Sequence, residues 1–86
     1  MPAPDPVAKA AYDALAAEYE QVSPLVAACR RHDARDRART QLAYARRLFR
    51  IAAFQAPAEG ETHEGFDRSL DAIRHHLAAA RREITA

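Results

Sequence analysis

The sequence has few of the residues that build strands, disulfides or flexible turns. Gly occurs twice, and Val, Ile and Thr three times each. This argues against a β-sheet, because strands favour β-branched residues and sheets need turn residues between strands. The single cysteine, Cys29, excludes an internal disulfide and gives no support for a secreted domain stapled by such bonds. These absences favour an all-α, cytoplasmic domain.

Long apolar runs are also missing. No stretch approaches the roughly 18 consecutive apolar residues that a membrane-spanning helix needs. The opening residues, MPAPDP, contain neither the basic nor the apolar segment of a secretory signal. We therefore expect no signal peptide and no membrane contact. The length of 86 residues predicts a single domain over residues 1–86.

Alanine dominates what is present, with 22 of the 86 residues. Alanine favours helices, but each buried alanine removes little apolar area from water. A small domain with such a thin core gains stability from close helix packing or from a partner. Self-association is therefore one expectation.

Helical spacing begins after Asp5-Pro6, a favourable helix start that leaves the first four residues frayed. The apolar positions, at steps of four and three, are Ala8, Tyr12, Leu15, Tyr19, Val22, Val26 and Cys29. Pro24 interrupts them, and proline inside a helix costs about 3 kcal/mol. The pattern predicts a first helix over about residues 6–31, either kinked or split at Pro24.

A second and a third helix follow, over about residues 34–54 and 62–85. Asp33 and Thr62 are candidate caps, and the segment between the two helices contains Pro57 and Gly60. The apolar face of the second helix is wider than one seam, which predicts a central helix with two neighbours. Its members are Ala38, Leu42, Ala45, Phe49 and Ala52, flanked by Tyr44, Leu48 and Ile51. Short connections then give a small antiparallel three-helix bundle.

Charge is segregated along the chain although the net charge is only +1. Eight arginines and two acids give residues 21–58 a charge of +6, between ends of −3 and −2. On the second helix, helical spacing places Arg35, Arg39, Arg46 and Arg50 on one face, with Arg47 beside it. Such a row can bind carboxylates bidentately or neutralise phosphates.

Three interpretations of this row stay open. It is a solvated surface partly paired with acids of the other helices, a contact for an acidic protein surface, or a nucleic-acid contact. We rank nucleic acid last, because the chain is nearly neutral, lacks known recognition motifs and offers no exposed aromatic residue beside the arginines. Tyr12 and Tyr19 are either core-edge residues or contacts to another chain. Phe54 and Leu25 are candidate exposed apolar anchors.

Catalytic and metal-binding patterns are weak. Cys29 and His32 have a spacing that suits two metal ligands, but a tetrahedral site needs two more and the sequence offers no second paired motif. No nucleophile stands near a base in an interpretable pattern, and no Gly-rich loop could cradle a phosphate. We therefore expect no enzyme activity, metal or cofactor. The predicted function is a helical interaction module: an adaptor, inhibitor or assembly subunit. Nucleic-acid binding or a self-assembling bundle is the alternative.

Overall fold

The computed structural model describes residues 3–85, which form three α-helices. They are α1 (Pro6–Ala27), α2 (His32–Gln55) and α3 (Glu64–Thr85). The start of α1 lies beside the end of α2, where the Tyr12 hydroxyl donates to the Phe49 carbonyl oxygen. The start of α2 lies beside the end of α3, where Arg37 contacts Glu83. Consecutive helices are thus antiparallel, in a rod of 46 × 18 × 18 Å, and the predicted three-helix bundle is confirmed.

α1 begins where the sequence predicts and runs through Pro24 without a break. An Asp5 side-chain oxygen accepts from the Ala8 N–H at 3.0 Å, and Pro6 occupies the first helical position. The missing N–H of Pro24 leaves the Glu20 carbonyl without its helical donor, and Glu20 is exposed, so water can replace it. The alternative of a split at Pro24 is therefore wrong. The helix ends at Ala27, short of the predicted residue 31.

Helix caps differ from those predicted. α2 starts at His32, so Asp33 lies in its first turn, and the cap position is held by Arg31 without a side-chain hydrogen bond. α3 starts at Glu64, where the His63 Nδ1 accepts from the Phe66 N–H at 3.1 Å. His63 thus has the capping role predicted for Thr62. The start of α3 is thus capped by the side chain that reaches a free N–H group, whereas α2 begins without a side-chain cap.

The chain before α1 pairs with the connection between α2 and α3. The Asp5 N–H donates to the Pro57 carbonyl at 3.0 Å, and the Glu59 N–H donates to the Ala3 carbonyl at 2.9 Å. The second Asp5 oxygen accepts from the Gly60 N–H, and Gly60 has a positive φ of 80°. The prediction of frayed first residues is wrong for residues 3 and 4, and residues 1 and 2 lie outside the described part.

The core is built from small residues on α2 and large ones on α3. α2 buries mainly alanines, whereas α3 buries Phe66, Leu70, Ile73 and Leu77. This size match lets α2 and α3 pack closely along their length, while α1 contacts both less closely. α3, and not the predicted α2, is therefore the helix that has most contact with its neighbours. None of the described helices is long and apolar enough to cross a bilayer.

Candidate interaction surface on the second helix

Four arginines project from the outer side of α2. We call Arg39, Arg46, Arg47 and Arg50 the arginine face. All four are exposed, and none forms a salt bridge or a side-chain hydrogen bond with any residue in the range 3–85. Other arginines of the described residues do form salt bridges with carboxylates. These pairs are Arg37–Glu83, Arg68–Glu64, Arg74–Asp71 and Arg81–Glu18. The expected partial pairing with acids of α1 and α3 is therefore not seen for the arginine face.

The arginine face also has an internal cost. Arg46 and Arg50 are four residues apart on one helix, so their side chains are neighbours. A like-charge pair at this spacing destabilises a helix by about 0.2–0.5 kcal/mol. Neither arginine forms a salt bridge with a carboxylate of the described residues that would offset this repulsion. An anionic group bound here would remove the cost.

Arg35 differs from the other predicted site arginines. Its side chain is half-buried and contacts the His32 Nδ1 at 2.9 Å. Its Nε is buried and has no hydrogen-bond partner among the described residues. Arg35 thus lies at the inner edge of the row, and the structure does not place it with the four exposed arginines.

Large apolar side chains are exposed beside the arginine face. We call Tyr44, Ile51 and Phe54 the apolar strip; they are 46%, 48% and 94% exposed. Sequence reasoning selected Phe54 as an anchor but assigned Tyr44 and Ile51 to the edge of a wide buried face. The spacing of residues 44, 47, 51 and 54, by three, four and three, is the signal that marks this separate outer seam. Arg47 stands within it.

One residue of the apolar strip, Tyr44, contacts α3. The Tyr44 ring stacks on His76 with centroids 5.2 Å apart, and the His76 Nδ1 contacts the Gln41 Oε1 at 2.7 Å. Burial, with a smaller contribution from the charge of His75, lowers the pKa of His76 below its usual value. The imidazole is therefore mainly neutral near pH 7, and Tyr44 stacks on an uncharged ring.

Tyr12 and Tyr19 lie away from the arginine face and pack inside the bundle. Both rings meet Phe49 edge-on, with centroid distances of 5.4 and 5.8 Å. Both residues are half-buried, and their ring contacts with Phe49 stabilise the packing of α1 against α2. That their remaining surface contacts another chain stays a prediction.

An open apolar cleft of about 280 Å³ lies between the start of α1 and the end of α2. Its walls include Ala8, Tyr12, Ala53 and Phe66, and sequence reasoning did not find it. The titratable groups at its edge are already engaged: Lys9 pairs with Asp13 at 2.6 Å, and Asp5 caps α1. The cleft thus offers apolar contact area and no evident acid, base or nucleophile.

Cys29 and His32 do not build a metal site with other groups. Cys29 is half-buried just after α1, where its thiol points to the Arg31 carbonyl at 3.7 Å. Within residues 3–85, no three His, Cys, Asp or Glu side chains are grouped so that they could hold a metal ion.

Comparisons with protein-family models, with curated proteins and with solved structures give no match to this chain. The exposed surface of α2 is therefore the candidate functional site.

Proposed function

We propose that this chain is a cytoplasmic, non-enzymatic interaction module that binds an acidic surface of another protein. It would serve as an adaptor, inhibitor or assembly subunit. The observation that carries the proposal is the arginine face: four exposed arginines on one helix with no carboxylate partner among residues 3–85. Guanidinium groups hold carboxylates through two parallel hydrogen bonds, which gives such a face geometric selectivity.

Charge alone would give a weak complex. An exposed ion pair contributes about 0–1 kcal/mol, and its main effects are on association rate and partner choice. The apolar strip supplies apolar contact area in addition to the charge. Phe54 and Ile51 lie next to Arg50 and Arg47, so they can be desolvated in the same contact. The expected partner surface is acidic with an apolar centre.

Charge reversal on α2 tests this proposal. The variant Arg39→Glu, Arg46→Glu, Arg47→Glu should lose capture of the partner from an extract of the native host, because the carboxylate contacts become repulsive. The matched control reverses three exposed arginines of α3: Arg68, Arg74 and Arg82. Each triple variant changes the net charge from +1 to −5, since every reversal removes two units. Circular dichroism and thermal melting check that both stay folded.

The two triple variants separate a local contact from a charge effect. Loss of a captured protein only in the α2 variant supports the proposal. Equal capture by both variants, or equal loss in both, would refute it, because then the position of the arginines is irrelevant.

Nucleic-acid binding is the second candidate. The expectation that no exposed aromatic accompanies the arginines is wrong, since Phe54 and Tyr44 are exposed beside them. Proteins that bind single-stranded nucleic acid place aromatic rings beside basic side chains, and the bases stack on those rings. If all four arginines of the face met phosphates, the logarithm of affinity would fall with the logarithm of salt with a slope of about −3.6 for duplex DNA. No retention in a filter-binding titration at low salt would exclude this candidate.

A further inference from the structure

The outer face of α1 has the same spacing as the seam on α2. On α2 the seam is Tyr44, Arg47, Ile51 and Phe54. On α1 the corresponding positions are Val7, Ala10, Ala14 and Ala17, again at steps of three, four and three, and all four are exposed. One face carries large side chains and the other mainly alanines. Two helices with these faces could approach closely, because large residues of one would meet small residues of the other.

The charges beside these two faces are opposite. Asp13 and Glu20 flank the α1 face, seven residues apart. Glu20 has no salt-bridge partner among residues 3–85, and Asp13 pairs with Lys9 through one oxygen, leaving the other free. On α2, Arg39 and Arg50 lie on the flank of the seam, also without carboxylate partners in the described part. The acidic flank of the α1 face is therefore complementary to the basic flank of the α2 seam, just as the small side chains of α1 are complementary to the large ones of α2.

We propose that the arginine face and apolar strip of α2 bind the outer face of α1 in a second copy of this chain, with the two helices antiparallel. This inference goes beyond the proposed function: it uses the same arginine face, but it assigns to that face an acidic surface on a second copy of this chain.

A single register satisfies both patterns. With Phe54 against Val7 and Tyr44 against Ala17, the seams overlap along their whole length. At a rise of 1.5 Å per residue, Asp13 then lies within about 3 Å of Arg50 along the helix axis, and Glu20 comes equally close to Arg39, again within about 3 Å.

The contact joins unlike surfaces, so it is heterologous. A copy that offers its α2 face to one neighbour keeps its own α1 face free for another. Such contacts close into a ring or continue as an open chain. The protein should therefore form a concentration-dependent series of species in sedimentation velocity, and the series should weaken at high salt as the charge pairs are screened.

Two variants that each block one face give a decisive test. Ile51→Ala with Phe54→Ala removes the large side chains of α2, and Ala14→Arg puts a bulky cation opposite Arg47. These positions are exposed, so circular dichroism should stay unchanged. Each variant alone should sediment as a monomer. Their mixture should form a heterodimer with one copy of each and nothing larger, because one unblocked α1 face and one unblocked α2 face remain.

A control and three contrary results complete the test. Leu25→Ala changes an exposed apolar residue of α1 outside the contact and should assemble like the parent protein. A parent protein that stays monomeric up to millimolar concentration overturns the inference. Assembly that persists in either variant alone, or a mixture of the two that forms no heterodimer, would also overturn the inference. The proposed function is judged separately, by capture of a different protein with the α2 arginine variant, so the two can fail independently.

Discussion

Replacing Arg46 with Glu should stabilise the isolated protein while it weakens partner binding. Arg46 and Arg50 repel each other at a spacing of four residues, and no acid among the described residues forms a salt bridge with either. Removing this repulsion is worth about 0.2–0.5 kcal/mol. A Glu at position 46 adds a favourable pair with Arg50 in the preferred orientation, with the acid nearer the helix start, worth about another 0.2–0.5 kcal/mol.

The expected total gain is about 0.4–1 kcal/mol, which corresponds to a rise in melting temperature of about 2–8 °C for a domain of this size. Arg46→Gln removes the repulsion without adding the attraction, so its gain should be about half as large. Stability should be highest with Glu at position 46, intermediate with Gln and lowest with Arg. These differences in stability should shrink in high salt.

Urea denaturation at two salt concentrations measures these differences. Arg68→Glu on α3 is the opposite control: it places an acid four residues after Glu64, whose carboxylate now lies 3.6 Å from Arg68, and should destabilise. If both substitutions at position 46 lower stability, then Arg46 already interacts favourably within the bundle. The claim that the arginine face is unsatisfied would then be wrong.

Three further predictions concern the fold. Asp5→Ala should lower stability, whereas Asp5→Asn can still cap α1. Hydrogen bonds from the Ala8 and Gly60 N–H groups lower the pKa of Asp5, so its contribution to stability is present above the usual aspartate pKa and is lost as pH falls through the lowered pKa. Acid titration of the two variants would show this loss. Pro24→Ala should raise the free energy of unfolding by up to about 3 kcal/mol, and a decrease in urea denaturation would mean that the ring packs usefully. Leu77→Ala should cost about 2–5 kcal/mol, since Leu77 is fully buried, and an unchanged melting temperature would contradict the described core.

The number and order of helices could be predicted because periodic apolar residues and one Pro/Gly segment suffice to define them. The helix ends could not, since they depend on contacts that only the folded chain creates. His63 caps α3 because its ring reaches the Phe66 N–H, and a sequence pattern does not show this. Likewise, the pairing of Arg37 with Glu83 depends on the register between α2 and α3.

The arginine row could also be predicted, since it follows from helical spacing alone. The apolar strip beside it was missed for a physical reason. A wide apolar face predicts burial by two neighbours, but α1 and α3 bury only one stripe of α2, which consists of four alanines and Leu42. Tyr44 and Ile51 remain half exposed at the far edge. Whether an apolar edge is covered depends on how closely the neighbouring helices approach, and this distance is not encoded in one helix.

The central claim is that the arginine face binds an acidic protein surface. Quantitative capture from host extract with three forms of the protein tests it most directly: the parent chain, the α2 triple charge reversal and the α3 triple charge reversal. The prediction is a protein captured by the parent chain and by the α3 variant, released by salt, and missing with the α2 variant. Capture of the same proteins in equal amounts by all three forms would contradict it.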